Sequence, residues 1–272
     1  MKSTRARVNT VAGSKNETCN HIIIEGHGNP CPFVLSHRDL MTTKSVTQRA
    51  IAYRVTCRDC SRLTTFLDDV KQKYPSYFCK PVPSFGVVKP KFLIVGLAPG
   101  LHGANRTGRP FTGDDAGELL FRTIHKFGFA DRVPSNPLDD SVKLIGCRIT
   151  NAVKCLPPQN KPNTSEIRVC NQYLRSELAG TAPQSVILAL GGIAHSAVLM
   201  AAGLKPSAIK FAHGARHFLA GDRVLFDSYH CSRYNINTRR LTESMFHDVF
   251  QAICADLNSM PAHQAITNRV SI

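Results

Sequence analysis

The chain has 272 residues, 43% of them hydrophobic and 19% charged, a composition that allows one sizeable buried core and excludes a wholly disordered protein. Its formal net charge of +15 and pI near 9.6 favour a polyanionic partner, because lysines and arginines that neutralise phosphates release condensed counterions. No apolar run reaches the length of a signal peptide or a membrane span, so we expect a cytoplasmic protein with no membrane partner.

The two ends of the chain differ from its middle. Residues 1–51 mix Ser, Thr, Asn, Gly, His and basic residues without sustained periodicity, which predicts a flexible basic extension. Residues 260–272 are predicted to form a polar tail. The sequence therefore predicts a single folded domain over residues 52–259.

Four of the ten cysteines stand out by their spacing. Cys57 and Cys60 form a C-x-x-C pair, and Cys155 and Cys170 form a second pair separated by fourteen residues. A reducing cytoplasm disfavours a disulfide framework, so the question becomes a metal or cluster site. Ligation by thiolates alone suits either zinc or a [4Fe–4S] cluster, and the spacing does not separate the two.

Apolar runs alternate with helix-like segments along the predicted domain. This alternation is typical of a parallel α/β fold with helices on both faces of the sheet. The predicted strands cover residues 91–95, 149–153, 185–189 and 223–227, and the predicted helices cover residues 116–127, 165–178, 192–202 and 242–256.

A glycine-rich polar loop follows the first predicted strand, over residues 96–114. Open parallel sheets place ligands at the carboxyl ends of their strands, so this loop predicts a reactive site. Neither G-x-G-x-x-G nor G-x-x-x-x-G-K-[ST] occurs, so dinucleotide and nucleoside triphosphate sites are not supported.

This loop resembles that of the family 5 uracil-DNA glycosylases, and residues 81–86, 149–158 and 228–242 resemble further segments of that family in the same order. The resemblance implies a three-layer α/β/α fold with a four-stranded parallel sheet. It also implies an enzyme that flips uracil, and other deaminated bases, out of DNA and hydrolyses the N-glycosidic bond. For the cofactor it implies a [4Fe–4S] cluster held by Cys57, Cys60, Cys155 and Cys170.

Individual residues of this predicted pocket are expected to have separate roles in binding and releasing the base. A flipped base needs a stacking surface, for which we predict Phe111, and a polar reader, for which we predict Asn151. The resemblance implies that His230 stabilises the anionic leaving base, because the matching histidine of the family's motif has that role. Gly96 and Ala98 are predicted to lie beside the base.

The attacking water has no obvious partner, because Leu97 and Ala98 are apolar where families 1 and 4 place an acidic residue. Asp114 is therefore predicted to orient the water or stabilise the sugar cation, with Asp115 as its rival. Either aspartate is also suited to cap the following helix. Two further candidates for positioning the water are Asn105 and His102.

A separate group of residues is predicted to contact the DNA backbone, which gives affinity without sequence preference. This group consists of Arg106, Arg109, Arg233 and Arg239. Asn235 is also predicted to bind DNA, as part of residues 234–237, which are expected to enter the gap left by the flipped base. Two positions depart from the family's motif, since Cys231 replaces a common proline and Arg239 a common glycine. We expect a monomer that is associated with the nucleoid when it is bound to DNA.

Two alternatives to the enzyme remain open. One is a non-catalytic iron–sulfur protein that binds nucleic acid but lacks a water activator, as the apolar Leu97 and Ala98 suggest. The other is a structural zinc protein that binds RNA through its basic surface.

Overall fold

Short apolar strands form the centre of one six-stranded sheet in the computed structural model, which describes residues 53–259. The predicted extension of residues 1–51 and the tail of residues 260–272 lie outside the described residues. In chain order the helices and strands are α1 (Ser61–Lys73), β1 (Phe85–Gly86), β2 (Phe92–Gly96), α2 (Ala104–Thr107), α3 (Asp115–Lys126), β3 (Cys147–Asn151), α4 (Thr164–Ala179), β4 (Val186–Leu190), α5 (Gly192–Ala201), β5 (Arg216–Leu219), β6 (Arg223–Ser228), α6 (Arg233–Asn237) and α7 (Glu243–Ser259), with a 3₁₀ turn at Pro158–Asn160.

The strand order is β1-β3-β2-β4-β6-β5. Strands β3, β2, β4 and β6 are parallel, which confirms the predicted α/β class, whereas β1 and β5 pair antiparallel at the two edges. The predicted count of four strands is therefore too low. Both edge strands lack the apolar run that marks a buried strand, because β1 has two residues and β5 alternates exposed residues with half-buried or buried ones.

The sheet separates two cores, as a three-layer fold requires. On β2, Phe92 and Ile94 face the core formed with α3 and α7. Leu93 and Val95 face the opposite core, formed with α4 and α5. Successive side chains of a strand point to opposite faces, so a continuously apolar strand is what a sheet covered on both sides needs.

A third, smaller cluster joins α1 to the start of α4. Leu63, Leu67 and Val70 form the buried stripe of α1 and pack beside Cys155 and Cys170. None of the described helices is long and apolar enough to cross a membrane.

Candidate active site

The carboxyl end of β2 brings three predicted site residues into contact. Gly96 pairs with Asn151 across the parallel β2–β3 ladder. A β-carbon at Gly96 would lie 2.4 Å from the Asn151 Oδ1 atom and 2.6 Å from the Phe111 ring. Only glycine therefore lets Asn151 and Phe111 approach the strand end this closely.

Phe111 is held in a conformation that phenylalanine rarely adopts. Its φ is +56°, its side chain is 7% exposed, and its ring stacks on the His230 ring with centroids 5.9 Å apart and an angle of 24°. A β-carbon at Gly117 would lie 2.0 Å from the Phe111 carbonyl oxygen. The tight contact with α3 keeps Phe111 in place despite the backbone strain, a pattern that is common at functional sites.

His230 follows β6 and contributes a neutral imidazole. Burial lowers the pKa of His230 to about 4, so the ring carries no charge at neutral pH. Its Nδ1 atom is buried without a hydrogen-bond partner in the described structure. The Asn235 side-chain amide donates to the His230 carbonyl oxygen over 2.8 Å, and this contact fixes the backbone of the histidine.

Asn151 ends β3 with an unpaired acceptor. The residue is 4% exposed, and its Oδ1 atom has no hydrogen-bond partner among the described residues. A buried polar atom left unpaired costs about 1–3 kcal/mol, so such atoms are rare unless a ligand completes them.

Asp114 caps α3 through one carboxylate oxygen. Its Oδ1 atom accepts from the Gly117 backbone N–H over 2.9 Å. The Oδ2 atom points toward Gly103, where a β-carbon would lie 2.2 Å away. Burial raises the pKa of Asp114. The rival Asp115 instead forms an ion pair of 2.5 Å with Arg233 and is largely exposed.

A cavity of about 450 Å³ opens beside His230 and Asp114. Its lining also includes Leu97, Ala98, Gly100, Asp115, Ala116, Asn160, Leu190, Gly191, Gly192, Ile193, Ser232 and Arg233. Phe111, Asn151 and Gly96 are not part of that lining. Phe111 reaches the site through its stack on His230, so the predicted pocket of Phe111, Asn151 and His230 is a contact cluster adjoining the cavity.

Asn160 is a cavity residue that the sequence analysis missed. It lies in the 3₁₀ turn that follows the Cys155 segment, with a φ of +56°. Asparagine tolerates this left-handed backbone better than most residues do. An asparagine in a proline-rich turn could therefore have been recognised from the sequence as a residue with a special conformation. Ile193, 42% exposed at the start of α5, carries no comparable signal.

Two predicted water-positioning residues lie elsewhere. The Asn105 side chain is fully buried, and its amide donates to the Cys79 sulfur over 3.4 Å. The His102 Nδ1 atom shares a hydrogen bond of 2.8 Å with the Tyr77 hydroxyl. Neither residue contributes to the lining of the cavity beside His230.

The predicted DNA-contacting residues divide into outward and inward groups. Arg233 lies on the cavity rim with its side chain 72% exposed. Arg109 is 13% exposed; it donates to the Asp139 carbonyl oxygen over 2.5 Å and packs on the Phe85 ring at 4.9 Å. Arg109 is thus engaged within the protein.

Arg106, Asn235 and Arg239 complete that set. Arg106 is half-buried against Gly113, where a β-carbon would lie 2.9 Å from its guanidinium. Asn235 uses its amide to hold His230. Arg239 is exposed and has a φ of +56°, the left-handed conformation that glycine would adopt without strain.

Cys231 takes a packing role at the position where the family commonly has proline. It is 1% exposed, and its thiol donates to the Ala116 carbonyl oxygen over 3.4 Å. This contact ties the segment after β6 to the first turn of α3.

The four predicted ligand cysteines line one common cavity, here called the four-cysteine site: Cys57, Cys60, Cys155 and Cys170. Burial raises the pKa of Cys155, and the three other thiols raise it further, which reflects their proximity. The Lys154 backbone N–H donates to the Cys170 sulfur over 3.3 Å, a contact that tunes clusters bound by thiolates. All four are free thiols.

Comparison with known proteins agrees with this geometry. The profile of the Uracil DNA glycosylase superfamily matches residues 83–254. A type-5 uracil-DNA glycosylase of Thermus thermophilus is 44% identical over 198 residues, which cover 71% of this chain and 90% of that protein. Another of Pyrobaculum aerophilum is 41% identical over 206 residues, covering 74% and 89%.

A more distant relative is also similar. A type-4 uracil-DNA glycosylase of Sulfurisphaera tokodaii is 31% identical over 174 residues, which cover 62% of this chain and 72% of that protein. The identity is thus higher with the type-5 relatives than with this type-4 relative. The chain belongs to the uracil-DNA glycosylase superfamily, and within it to the type-5 enzymes.

Proposed function

We propose that this protein is a DNA repair enzyme that flips uracil out of DNA and hydrolyses its N-glycosidic bond, leaving an abasic site. The observation that carries the proposal is the contact cluster of a neutral His230, the Phe111 ring and the unpaired Asn151 Oδ1 atom. No side chain can reach the sugar–base bond within a stacked duplex, so the base must leave the stack. The type-5 relatives are named for this activity.

Asn151 is suited to select uracil. Its buried Oδ1 atom is an acceptor for the N3–H of uracil, and its amide N–H is a donor for the adjacent carbonyl. Cytosine has a lone pair at N3 and would face the same acceptor with no hydrogen to share. The neighbouring Phe111 ring supplies a stacking surface that any pyrimidine can use.

Negative charge develops on the leaving base, and a hydrogen-bond donor in a site that excludes water stabilises this charge best. His230 is neutral and buried, so one ring N–H can stabilise the anion without bringing a second charge into the site. Asp114 is the carboxylate that lines the same cavity with one oxygen not used in capping α3. We assign the attacking water to Asp114, because Asn105 and His102 are engaged elsewhere.

We extend the proposal to other deaminated bases. Gly191 and Gly192 contribute no side chain to the wall of the cavity of about 450 Å³. Such a site leaves room for the second ring of hypoxanthine. Release of hypoxanthine from an inosine-containing duplex tests this extension, and uracil release without any hypoxanthine release would contradict it.

We further propose that the four-cysteine site binds a [4Fe–4S] cluster. The lining of this site contains the four thiols and no histidine, so thiolates alone would ligate the bound metal. A cluster held there would tie the segment before α1 to the segment after β3 and to α4.

Cys155→Ser tests the cluster. We expect the parent protein to be brown with a broad visible absorption, and the variant to lose that absorption together with stability. We expect a smaller effect on base release in the fraction that remains folded, since the four-cysteine site and the cavity beside His230 share no lining residue. A colourless protein that contains zinc would contradict this proposal and favour the zinc alternative.

A second candidate function is binding without catalysis, favoured by the apolar Leu97 and Ala98 on the cavity wall. One assay separates it from the first: incubation with a uracil-containing duplex, followed by alkaline cleavage at abasic sites. His230→Ala should slow base release by roughly 100-fold or more while DNA binding is retained. The matched control is His125→Ala, an exposed histidine at the end of α3. A parent protein that binds this duplex without releasing base would refute the enzymatic proposal.

A further inference from the structure

The segment between α5 and β5, residues 202–215, is anchored to the inner strand β6 by one carboxylate. Asp227 is fully buried and lies 2.8 Å from the His195 Nδ1 atom and 3.1 Å from the His217 Nε2 atom. The Asp227 carboxylate also accepts a hydrogen bond from the Ala212 backbone N–H over 3.4 Å. The Asp227 backbone carbonyl oxygen accepts one from the Gly214 N–H over 2.8 Å. The end of the segment is therefore fixed relative to β6.

His195 adds a second anchor to the same segment. Its Nε2 atom lies 3.0 Å from the Ile209 carbonyl oxygen, so both ring nitrogens face acceptors. Burial opposes a charge on this ring, but the hydrogen bonds with Asp227 and Ile209 outweigh it and raise the pKa of His195. A protonated His195 donates to both partners at once.

His213 extends from this anchored segment to the residue before His230. Its Nδ1 atom accepts from the Tyr229 backbone N–H over 3.1 Å. The two rings lie nearly parallel, 8° apart, with centroids separated by 5.0 Å. The Ser228 hydroxyl lies 3.5 Å from the same nitrogen.

We propose that His213 is a positioning residue for His230, holding the Tyr229 peptide so that the histidine ring meets Phe111 at the base site. The inference rests on the proposed role of His230 in base release. Tyr229 follows the last residue of the β4–β6 ladder, Ser228, so no pairing among the described strands fixes its N–H. The His213 ring supplies the partner that the sheet no longer provides.

The contact requires a neutral His213. Burial lowers the pKa of His213, against opposing effects from the Met245 backbone and the Asp248 carboxylate on α7. Arg240 lies over the Tyr229 ring at 4.6 Å, and Asp227 faces the segment from β6. Protonation of His213 at Nδ1 would place its new N–H against the backbone N–H of Tyr229, so the hydrogen bond between them would break. Positioning should therefore weaken as the pH falls through the pKa of His213.

Two variants of His213 separate the effect of its hydrogen-bond acceptor from the effect of its ring. His213→Asn keeps an acceptor close to the place of Nδ1 but loses the ring, whereas His213→Phe keeps a ring but loses the acceptor. On a uracil-containing duplex we expect His213→Phe to lower kcat by roughly 10- to 100-fold with little change in KM. His213→Asn should stay within a few fold of the parent.

The outcomes distinguish this inference from the proposed function. A parent protein without base release refutes the proposed function. An active parent with His213→Phe at the parent rate overturns the inference alone, and so does an equal loss in both variants, which would indicate ring packing.

A second measurement tests the inference even if His213→Phe fails to fold. The rate of His213→Asn relative to the parent should rise as the pH falls, because only the parent loses its acceptor by protonation. If the rate of base release falls in the same way with decreasing pH in the parent and in His213→Asn, the inference is overturned.

Discussion

Burial moves two titratable side chains at the cavity toward their neutral forms. It lowers the pKa of His230 to about 4 and raises that of Asp114. The two shifts have different consequences. A neutral histidine suits the proposed stabilisation of the leaving group. A carboxylate that is costly to ionise lowers the stability of the fold, and the proposed role of Asp114 in orienting water would account for that cost.

Asp114→Asn should separate stability from catalysis at this residue. Asparagine caps helices as well as aspartate does, so α3 keeps its hydrogen bond from Gly117. Base release should fall by roughly 100-fold because the carboxylate that orients water is lost. The folded-state pKa of Asp114 lies above its unfolded value, so its stabilising effect is complete at low pH and is lost as the pH rises through the raised value.

The variant should therefore be slightly more stable than the parent at neutral pH, with the difference shrinking as the pH falls. The gain should be small because Asp114 is partly exposed and solvent screens its charge. Thermal unfolding from about pH 3 to about pH 8, a range that begins below the ordinary aspartate pKa, measures this effect. Asp115→Asn is the control, since that carboxylate is exposed and paired with Arg233. A variant less stable than the parent at pH 7, or one with full activity, would contradict the assignment of Asp114.

Arg239→Gly should stabilise the protein. Arg239 holds a left-handed backbone with a φ of +56°, which costs a side chain about 1 kcal/mol and costs glycine nothing. Arg239→Ala removes the same charge but keeps the strain, so it is the matched control. Denaturant unfolding should show the glycine variant about 1 kcal/mol more stable than the alanine variant. Equal stability of the two variants would mean that the loop relaxes around this residue.

At the scale of elements, the four parallel strands and their main helices are predictable from the sequence. Strands such as β2 and β4 are uniformly apolar because both faces are buried, and this pattern survives in the sequence alone. The predicted boundaries differ from the observed ones by up to three residues. For α4 the shift has a clear cause, since Asn163 and Glu166 form a capping box that starts the helix one residue earlier.

Other elements carry weaker signals. The edge strand β5 alternates exposed residues with half-buried or buried ones, and Phe218 is 73% exposed, so no apolar run identifies the strand. The helices α2 and α6 have four and five residues, too few for a periodic pattern. Helix α1 does show apolar residues at Leu63, Leu67 and Val70, and its omission was avoidable.

The site was predictable where a residue type is unusual for its place, and unpredictable where only tertiary geometry matters. Asn151 at the end of a buried strand and the glycines around Phe111 identified the contact cluster. No sequence pattern shows that Arg109 turns inward to Asp139 or that Asn105 donates to Cys79. Those contacts depend on where distant loops meet.

Asp227→Asn should show that one carboxylate joins β6 to the segment of residues 202–215. The substitution removes the buried carboxylate that faces the His195 Nδ1 atom, and breaking a buried pair of this kind costs about 3–5 kcal/mol. His217→Gln is the control: it keeps a donor near Asp227 at a side chain that is 17% exposed, and should cost about 1 kcal/mol or less. Denaturant midpoints measure both changes. Similar losses in the two variants would argue against a dominant His195–Asp227 pair.

At the scale of the whole molecule, affinity for DNA and selection of the base should separate. The net charge of +15 predicts binding to undamaged duplex that weakens steeply with salt, whereas a dry pocket reads uracil independently of salt. Arg233→Ala should lower the slope of log affinity against log salt by about 1, because its side chain is 72% exposed at the cavity rim.

Arg109→Ala is the matched control, since it removes the same charge from an inward-facing side chain and should leave the slope nearly unchanged. Titrations of matched uracil-containing and normal duplexes over a salt series provide both values. A uracil preference that declines in step with overall affinity would indicate that the basic surface, and not the pocket, governs recognition.

The parallel strands also give the molecule two unlike ends. The cavity residues follow the carboxyl ends of β2, β4 and β6, whereas the exposed turn of residues 220–222 precedes β6 at its amino end. Six residues of strand place that turn roughly 20 Å from His230. An affinity tag inserted after Gly221 would therefore immobilise the protein on a sensor chip with its DNA-facing side turned to the solution, so that arriving duplexes meet an unobstructed surface.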